Sequence, residues 1–446
     1  MSRKYFGTDG IRGKVGRLPI TVDFALKLGN AVGKVLVSNG HAQQVILGQD
    51  TRASGDMLKS AFISGVTAAG VDVINLGVVP TPVVAFMVRA LKVAAGVVLT
   101  ASHNPYSDNG IKLFSAQGQK LSDEVEYDIE QEIDREFYYH REAKFGRIIS
   151  QINQIDPYIS HCFKCFCDYM NASDWADKKI ILDCANGAMY RVARSVFDQL
   201  GIPYKEIASA PNGVNINASC GAVDLDLLKQ SVIAEGADLG IAFDGDGDRL
   251  MLIDEMGEVV DGDDMLSVLS QHPDIVGQVK GVVGTVMTNL AIEHDFKRRK
   301  INFQRAKVGD RYVLELLTKH DWSLGAEASG HIINLHYNTT GDGLLAALQI
   351  LAVMAKTDQS LSDLTHIQKM PQVMINVPLI RQVGADDLSL LIQDVSFVEK
   401  NLKNNGRVVL RPSGTEPVLR VMVEAKHKAD AKHWADYLVQ KVTQKI

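Results

Sequence analysis

Short apolar, β-branched runs alternate with stretches of helical periodicity over most of the chain, and the runs end at Gly, Asp, Asn, Ser or Pro. That alternation predicts α/β architecture with parallel or mixed sheets. In the first third, Val45 to Gly48 reads as a strand, Gly55 to Ala69 as a helix and Val71 to Leu76 as a strand. A helix over Pro82 to Leu91 and a strand ending at Leu99 follow. Ile180 to Asp183 with helical Gly187 to Leu200, and Val282 to Val286 with Asn289 to Arg299, repeat the same opening of strand, polar loop and helix. A threefold α/β repeat is expected. Beyond Pro371 the order changes to strand (Val373 to Leu379), helix (Asp386 to Leu402), strands Arg407 to Leu410 and Val418 to Glu424, and helix Lys428 to Val442. This predicts a smaller, separate α+β domain.

A chain of 446 residues exceeds what one core holds, about 250 to 300 residues, so several domains are expected. The hydrophobic fraction of 46% and charged fraction of 22% are those of a soluble globular protein. A net charge of -6 leaves no cation excess to coat a nucleic-acid backbone, so any phosphate must be held by a local cluster. No signal peptide and no membrane-length apolar run is found, which predicts a cytoplasmic protein with no membrane partner. Five cysteines suit a reducing compartment. Cys162, Cys165 and Cys167 follow His161, but a helix over Ile155 to Met170 points Cys167 away from the other two. Buried structural thiols are expected there in preference to zinc.

Several loops carry chemistry. Thr100-Ala101-Ser102-His103-Asn104-Pro105 follows the strand ending at Leu99 and presents Ser102, a nucleophile that needs activation. Asp244-Gly245-Asp246-Gly247-Asp248-Arg249 lies between the strands Leu239 to Phe243 and Leu250 to Ile253. Three carboxylates at alternate positions repel one another unless a cation sits among them, and a hard divalent ion such as Mg2+ suits them. Glu255 falls where an EF-hand would place its bidentate ligand, but Arg249 replaces the EF-hand glycine and the flanks are strand-like. Arg411-Pro412-Ser413-Gly414-Thr415-Glu416-Pro417, with Arg420 beyond it, supplies guanidinium and hydroxyl donors for a phosphate. Gly325 to His331 offers Glu327 and Ser329 for sugar hydroxyls, and Gly7 to Gly13 places Arg12 in a glycine-rich turn.

Taken in order, and with Val308-Gly309-Asp310-Arg311-Tyr312-Val313, these motifs resemble the α-D-phosphohexomutase superfamily over essentially the whole chain, most nearly its glucosamine branch. The resemblance implies three related mixed α/β domains (1–153, 154–254, 255–370) and a smaller α+β fourth (371–446) around a central cleft. It implies that Ser102 becomes phosphoserine and that Asp244, Asp246 and Asp248, with Ser102, hold one Mg2+ per chain. It assigns Glu327, Ser329 and His331 to the sugar and Asp310 and Arg311 to the sugar-recognition loop. Arg411, Ser413, Gly414, Thr415 and Arg420 are assigned to the phosphate that is not reacting. Ala328 departs from the glutamine common in this branch.

The implied reaction interconverts glucosamine 6-phosphate and glucosamine 1-phosphate, with glucosamine 1,6-bisphosphate as intermediate or activator, on the route to UDP-N-acetylglucosamine. Arg12 or Arg249 would stabilise the transferring charge, and His103 and Lys112 are both candidates for proton transfer. The resemblance makes a homodimer reasonable. Rival readings are a mutase of mannose or glucose phosphates, a metal-dependent sugar phosphatase, and a catalytically silent sugar-phosphate-binding protein.

Overall fold

Each apolar run closes against its neighbours, and four sheets follow one another along the chain. The computed structural model describes residues 4–38, 44–140, 144–170, 172–381, 383–412 and 417–446. The first sheet holds β1 (Ile11–Lys14), β2 (Gln44–Gln49), β3 (Asp72–Val78), β4 (Ala95–Leu99), β5 (Asp108–Ser115) and β6 (Ile148–Ser150). Its helices are α1 (Val22–Ser38), α2 (Gly55–Ala68), α3 (Thr81–Leu91) and α4 (Asp123–Ile133). Next come α5 (Asp156–Phe166), α6 (Ala172–Trp175), α7 (Met189–Leu200) and α8 (Asp226–Glu235). They accompany β7 (Ile180–Asp183), β8 (Lys205–Ile207), β9 (Leu239–Phe243), β10 (Leu250–Asp254) and β11 (Val259–Val260).

The third sheet holds β12 (Val282–Thr285), β13 (Phe303–Ala306), β14 (Leu324–Ala326) and β15 (Ile332–Asn334). With it go α9 (Gly262–Leu269), α10 (Pro273–Val276), α11 (Leu290–Arg299), α12 (Asp310–His320), α13 (Gly343–Thr357) and α14 (Leu361–Leu364). The fourth is an antiparallel sheet of β16 (Gln372–Pro378), β17 (Gly406–Pro412) and β18 (Val418–Ala425), with α15 (Ala385–Ser389), α16 (Ile392–Leu402) and α17 (Lys428–Lys445).

The threefold repeat is present in the topology. Strand orders β5-β4-β2-β3, β10-β9-β7-β8 and β15-β14-β12-β13 match one another. In each, the first strand of the order is antiparallel and the other three are mutually parallel. In each, too, the loop joining the last parallel strand to its antiparallel neighbour leaves the carboxyl end of that strand, where open α/β sheets bind ligands. Those three loops hold Ser102, the three aspartates, and Glu327 to His331.

One apolar cluster runs through all three α/β units and includes Val84, Tyr158, Phe197, Phe243 and Leu348. Helix α13 lies within it, buried on every side from Gly343 to Met354. It is apolar on every face except at Gln349, whose amide is hydrogen-bonded to Asn334 and to the Leu345 carbonyl, because no face meets water. Each fully buried Leu or Ile contributes about 1.5 to 3 kcal/mol, and Asp342 caps the helix by accepting the Leu345 N–H at 3.0 Å. The fourth unit has its own core of Leu391, Val398, Leu419, Val423 and Leu438.

The structure departs from the sequence expectation at three places. The helix expected over Asp386 to Leu402 is two helices, because the chain turns at Leu390 and Leu391 through bonds to Asp387 O and Leu388 O and so buries Leu391 in the fourth core. The second sheet runs past residue 254, since β11 pairs with β10 after a tight turn at Gly257. Of the three clustered cysteines only Cys162 is buried; Cys165 and Cys167 are partly exposed. Among the described residues no helix is long and apolar enough to cross a membrane.

Candidate active site

The residue after β4 begins the serine loop, and three buried residues and the partly buried Asn217 set its shape. Asp50, just beyond β2, accepts from Thr100 Oγ1 at 2.7 Å and from Arg52 Nε at 2.8 Å. The Arg52 guanidinium then reaches the carbonyls of Ser102 (3.0 Å), Asn104 (2.8 Å), Asp108 (3.0 Å) and Pro105. Asn217, from the second unit, donates to the same Ser102 and Asn104 carbonyls at 2.9 and 3.1 Å. Ser102 itself is buried and left-handed, with φ of 53°. A non-glycine residue there costs about 1 to 3 kcal/mol, which the surrounding hydrogen bonds offset. Asp50, Arg52 and Asn217 were not singled out from the sequence, although Asp50-Thr51-Arg52 directly after an apolar strand was a visible signal.

Ser102 Oγ donates to Asp244 Oδ2 at 2.6 Å and lies 3.3 Å from His103 Nδ1. The aspartate loop approaches so closely that a Cβ on Gly245 would fall 2.6 Å from the Ser102 carbonyl oxygen. Asp244, Asp246 and Asp248 are buried and each offers one oxygen within 4.8 Å of the others. Asp246 Oδ1 and Asp248 Oδ1 are buried with no hydrogen-bond partner. Three hard oxygen donors, two of them with an oxygen that has no partner, fit a divalent cation. The EF-hand alternative fails: the loop joins two antiparallel strands, and Glu255 accepts from Ser362 Oγ at 2.6 Å.

The charge balance differs from the expectation that only a divalent ion relieves the triad. Lys112 Nζ lies 2.8 Å from both Asp246 Oδ2 and Asp248 Oδ2 and 3.1 Å from Asp9. Thr81 Oγ1 donates to Asp246 at 2.5 Å. Burial, then Asp248 and Asp246, hold the Asp244 carboxyl well above the usual range. Burial acts the same way on Asp248, but Lys112 and His331 outweigh it and hold that carboxyl well below the range. Lys112 is pulled well above its ordinary value, burial being overcome by Asp246, Asp248 and Asp9. In this structure its ammonium is the counter-charge of those three carboxylates. His103 is pushed down to about 4 by burial and by Arg249 and Arg12, so its imidazole is neutral at pH 7.

A cleft of about 570 Å³ opens beside these groups, lined by Asp9, Arg12, His103, Asp248, Arg249, Asp310, Glu327, Ser329, His331, Arg411 and Arg420. Residues from all four units meet in it. Arg12 is paired with Asp9, and Arg12 Nε, Arg249 Nε, Arg420 Nε and His331 Nε2 are buried without a hydrogen-bond partner. Arg411 and Arg420 are register partners on β17 and β18. Like charges directly opposite one another on a sheet repel, and unsatisfied guanidinium donors beside them define an anion site. His331 is held at about 9: burial opposes the charged form, but Asp310, Asp248 and Glu327 prevail. Glu327 accepts the Gly309 N–H at 2.7 Å. Arg311 does not line the cleft; α4 carboxylates draw it away to pair with Asp123 and with Glu126 at 3.3 Å. Ser413, Gly414 and Thr415 lie outside the described residues.

A cleft built from three repeated α/β units and a fourth domain, with serine, carboxylate triad and arginine pair converging, defines a phosphosugar-handling protein. The chain belongs to the phosphoglucomutase/phosphomannomutase family, whose α/β/α domains I, II and III match residues 3–140, 156–257 and 261–370 and whose C-terminal domain matches 374–441. It is 50% identical over 444 residues to phosphoglucosamine mutase of Francisella tularensis subsp. tularensis (strain SCHU S4), covering 99% of both chains. The same holds for that of Francisella philomiragia. A phosphoglucomutase/phosphomannomutase family protein from Burkholderia thailandensis has the same fold, with a TM-score of 0.80 at 22% identity over 98% of this chain and 97% of that one. So does Aspergillus fumigatus N-acetylphosphoglucosamine mutase in complex with GlcNAc-6P and magnesium, with a TM-score of 0.70 at 17% identity over 100% and 96%.

Proposed function

We propose that the chain is an isomerase interconverting glucosamine 6-phosphate and glucosamine 1-phosphate, with Ser102 as the phosphoryl carrier. One observation carries the reading: Ser102 Oγ lies 2.6 Å from Asp244 at the meeting point of topologically equivalent loops, beside a cleft lined with arginines whose buried Nε atoms at Arg12, Arg249 and Arg420 have no hydrogen-bond partner among the described residues. The full-length identity to phosphoglucosamine mutases supports the choice of sugar.

In the loaded enzyme Ser102 carries a phosphoryl group of about -1.5 to -2 charges. Asp244, Asp246 and Asp248 would hold one Mg2+ with an oxygen of that group, and the bound ion would neutralise charge on it as a Lewis acid. The C1 hydroxyl of the 6-phosphate attacks phosphorus: the O1–P bond forms, the Oγ–P bond breaks, and glucosamine 1,6-bisphosphate results. His103, neutral and 3.3 Å from Oγ, is the group placed to take the hydroxyl proton and return it to Oγ. Arg12 and Arg249 face the charge that spreads during transfer. The bisphosphate then turns around and gives its 6-phosphoryl group back to Ser102, with O6 taking the proton. Arg411 and Arg420, with the loop that holds Ser413, Gly414 and Thr415, grip whichever phosphate is not reacting. On this reading the enzyme acts in the cytoplasm, on the route to UDP-N-acetylglucosamine.

The test is turnover of the 6-phosphates of glucosamine, mannose and glucose with Mg2+ and a catalytic amount of hexose 1,6-bisphosphate. Glucosamine 6-phosphate is expected to be preferred, and Ser102→Ala to retain less than about a thousandth of the rate. Preference for mannose would replace the sugar assignment, steady release of inorganic phosphate would make the protein a phosphatase, and an active Ser102→Ala variant would remove the carrier.

A further inference from the structure

We infer that Thr81 is a positioning residue for the aspartate triad: its hydroxyl fixes the Asp246 carboxylate so that Oδ1 is the oxygen offered to a divalent ion. This rests on the reading of the triad as a cation site. Thr81 opens α3 in the first unit, while Asp246 belongs to the loop after β9 in the second. They lie 165 residues apart, so no local motif joins them.

Thr81 holds Asp246 twice. Its N–H donates to the Asp246 carbonyl at 2.9 Å, and its Oγ1 donates to Asp246 Oδ2 at 2.5 Å. One residue therefore sets both the place of the Asp246 backbone and the rotation of its carboxylate. With Oδ2 taken, Oδ1 is left buried and without a hydrogen-bond partner among the described residues. Both side chains are buried, where a low dielectric strengthens the bond between them.

Lys112 cannot set this orientation alone. Its ammonium reaches the same Oδ2 at 2.8 Å but is shared with Asp248 and Asp9, and an ammonium is a point charge with rotatable donors on a flexible stem. It supplies attraction without direction. A threonine side chain is stiff at χ1, and at the first position of a helix no earlier turn of that helix offers a carbonyl to take the hydroxyl proton. Pro80 and Pro82 flank Thr81, and their fixed φ limits the freedom of the chain entering α3. The other two aspartates are held differently. Asp244 accepts from Ser102 and from the Arg249 N–H on separate oxygens, and Asp248 accepts from Lys112, with the His331 imidazole 3.7 Å away. Thr81 does not line the cleft, so its effect reaches the reaction through Asp246.

The experiment measures Mn2+ binding to the full chain from the electron paramagnetic resonance of the free ion, Mn2+ favouring the same oxygen ligands as Mg2+. Thr81→Val keeps the shape and removes the hydroxyl; Thr81→Ser keeps the hydroxyl. Partners that orient metal ligands are worth about 10- to 100-fold in affinity, so Kd should rise by that factor in Thr81→Val and stay within about threefold of the unmodified value in Thr81→Ser. An unchanged Kd in Thr81→Val would overturn the inference. So would a Ser variant that binds as weakly as the Val variant, because packing and not the hydroxyl would then matter. Should Thr81→Val fail to fold by circular dichroism, Thr81→Ala takes its place under the same two criteria. If the unmodified chain binds no Mn2+, it is the cation-site reading of the triad that falls, and the role of Thr81 falls with it.

Discussion

At the scale of single residues, the serine loop depends on a group that does not line the cleft. Arg52 is buried and spends its donors on Asp50 and on carbonyls of the serine loop, holding Ser102 in a left-handed conformation that a non-glycine residue rarely adopts. A lysine in its place keeps the charge and loses the planar fork. Arg52→Lys should therefore lower kcat about 100-fold, the cost of a misplacement near 1 Å, while KM moves by less than about threefold. Steady-state kinetics, with circular dichroism to confirm folding, check the split; a KM effect as large as the kcat effect would show that the cleft, not the serine, depends on Arg52. Lys112 illustrates the limit of reading residues singly. In the sequence it stood beside His103 as a proton-transfer candidate, and only its three carboxylate neighbours mark it as a counter-charge.

At the scale of elements, the three hairpins β4–β5, β9–β10 and β14–β15 place their loops against one another through backbone contacts that side-chain patterns do not report. Gly330 is the clearest case. Its φ is 87°, a Cβ would fall 2.1 Å from the Leu250 carbonyl oxygen, and its own carbonyl accepts the Leu250 N–H at 2.9 Å. Gly330→Ala should destabilise the protein by about 2 kcal/mol or more, through strain and overlap together. Gly236, with φ of 57° and nothing within 4 Å of a built Cβ, carries only the conformational cost, about 1 kcal/mol. Chemical denaturation of both variants checks the order; equal losses would mean that the loop contact is not what Gly330 protects.

At the scale of the whole molecule, three units share one apolar cluster while the fourth is held by polar contacts. Arg407 on β17 pairs with the buried Glu424 and donates to the carbonyls of Val286 and Thr288, each at 2.7 Å. Just before β16, Met370 at the end of the third unit is fixed by exchanging hydrogen bonds with Asn289 at 3.0 Å in both directions. Such an attachment suits the proposed reaction, in which the domain would carry Arg411 and Arg420 toward and away from a turning bisphosphate. Arg407→Ala should raise KM for the sugar phosphate about tenfold with a smaller change in kcat, since it loosens ground-state and transition-state binding alike. An unaltered KM would mean that the remaining contacts suffice to seat the domain.

The alternation of strands and helices, the threefold repeat, and the loops carrying Ser102, the aspartates, Glu327 and Arg411 were legible in the chain itself. Apolar periodicity and glycine-rich breaks act over a few residues, so they are written locally. The sequence did not show that Leu390 and Leu391 interrupt a helix, that Arg311 turns to α4 instead of the cleft, or that Arg52, Asn217 and Asp9 complete the site. Those outcomes were decided between residues far apart in the chain, where burial strips away water and a charge must find whichever partner the packed units bring within reach.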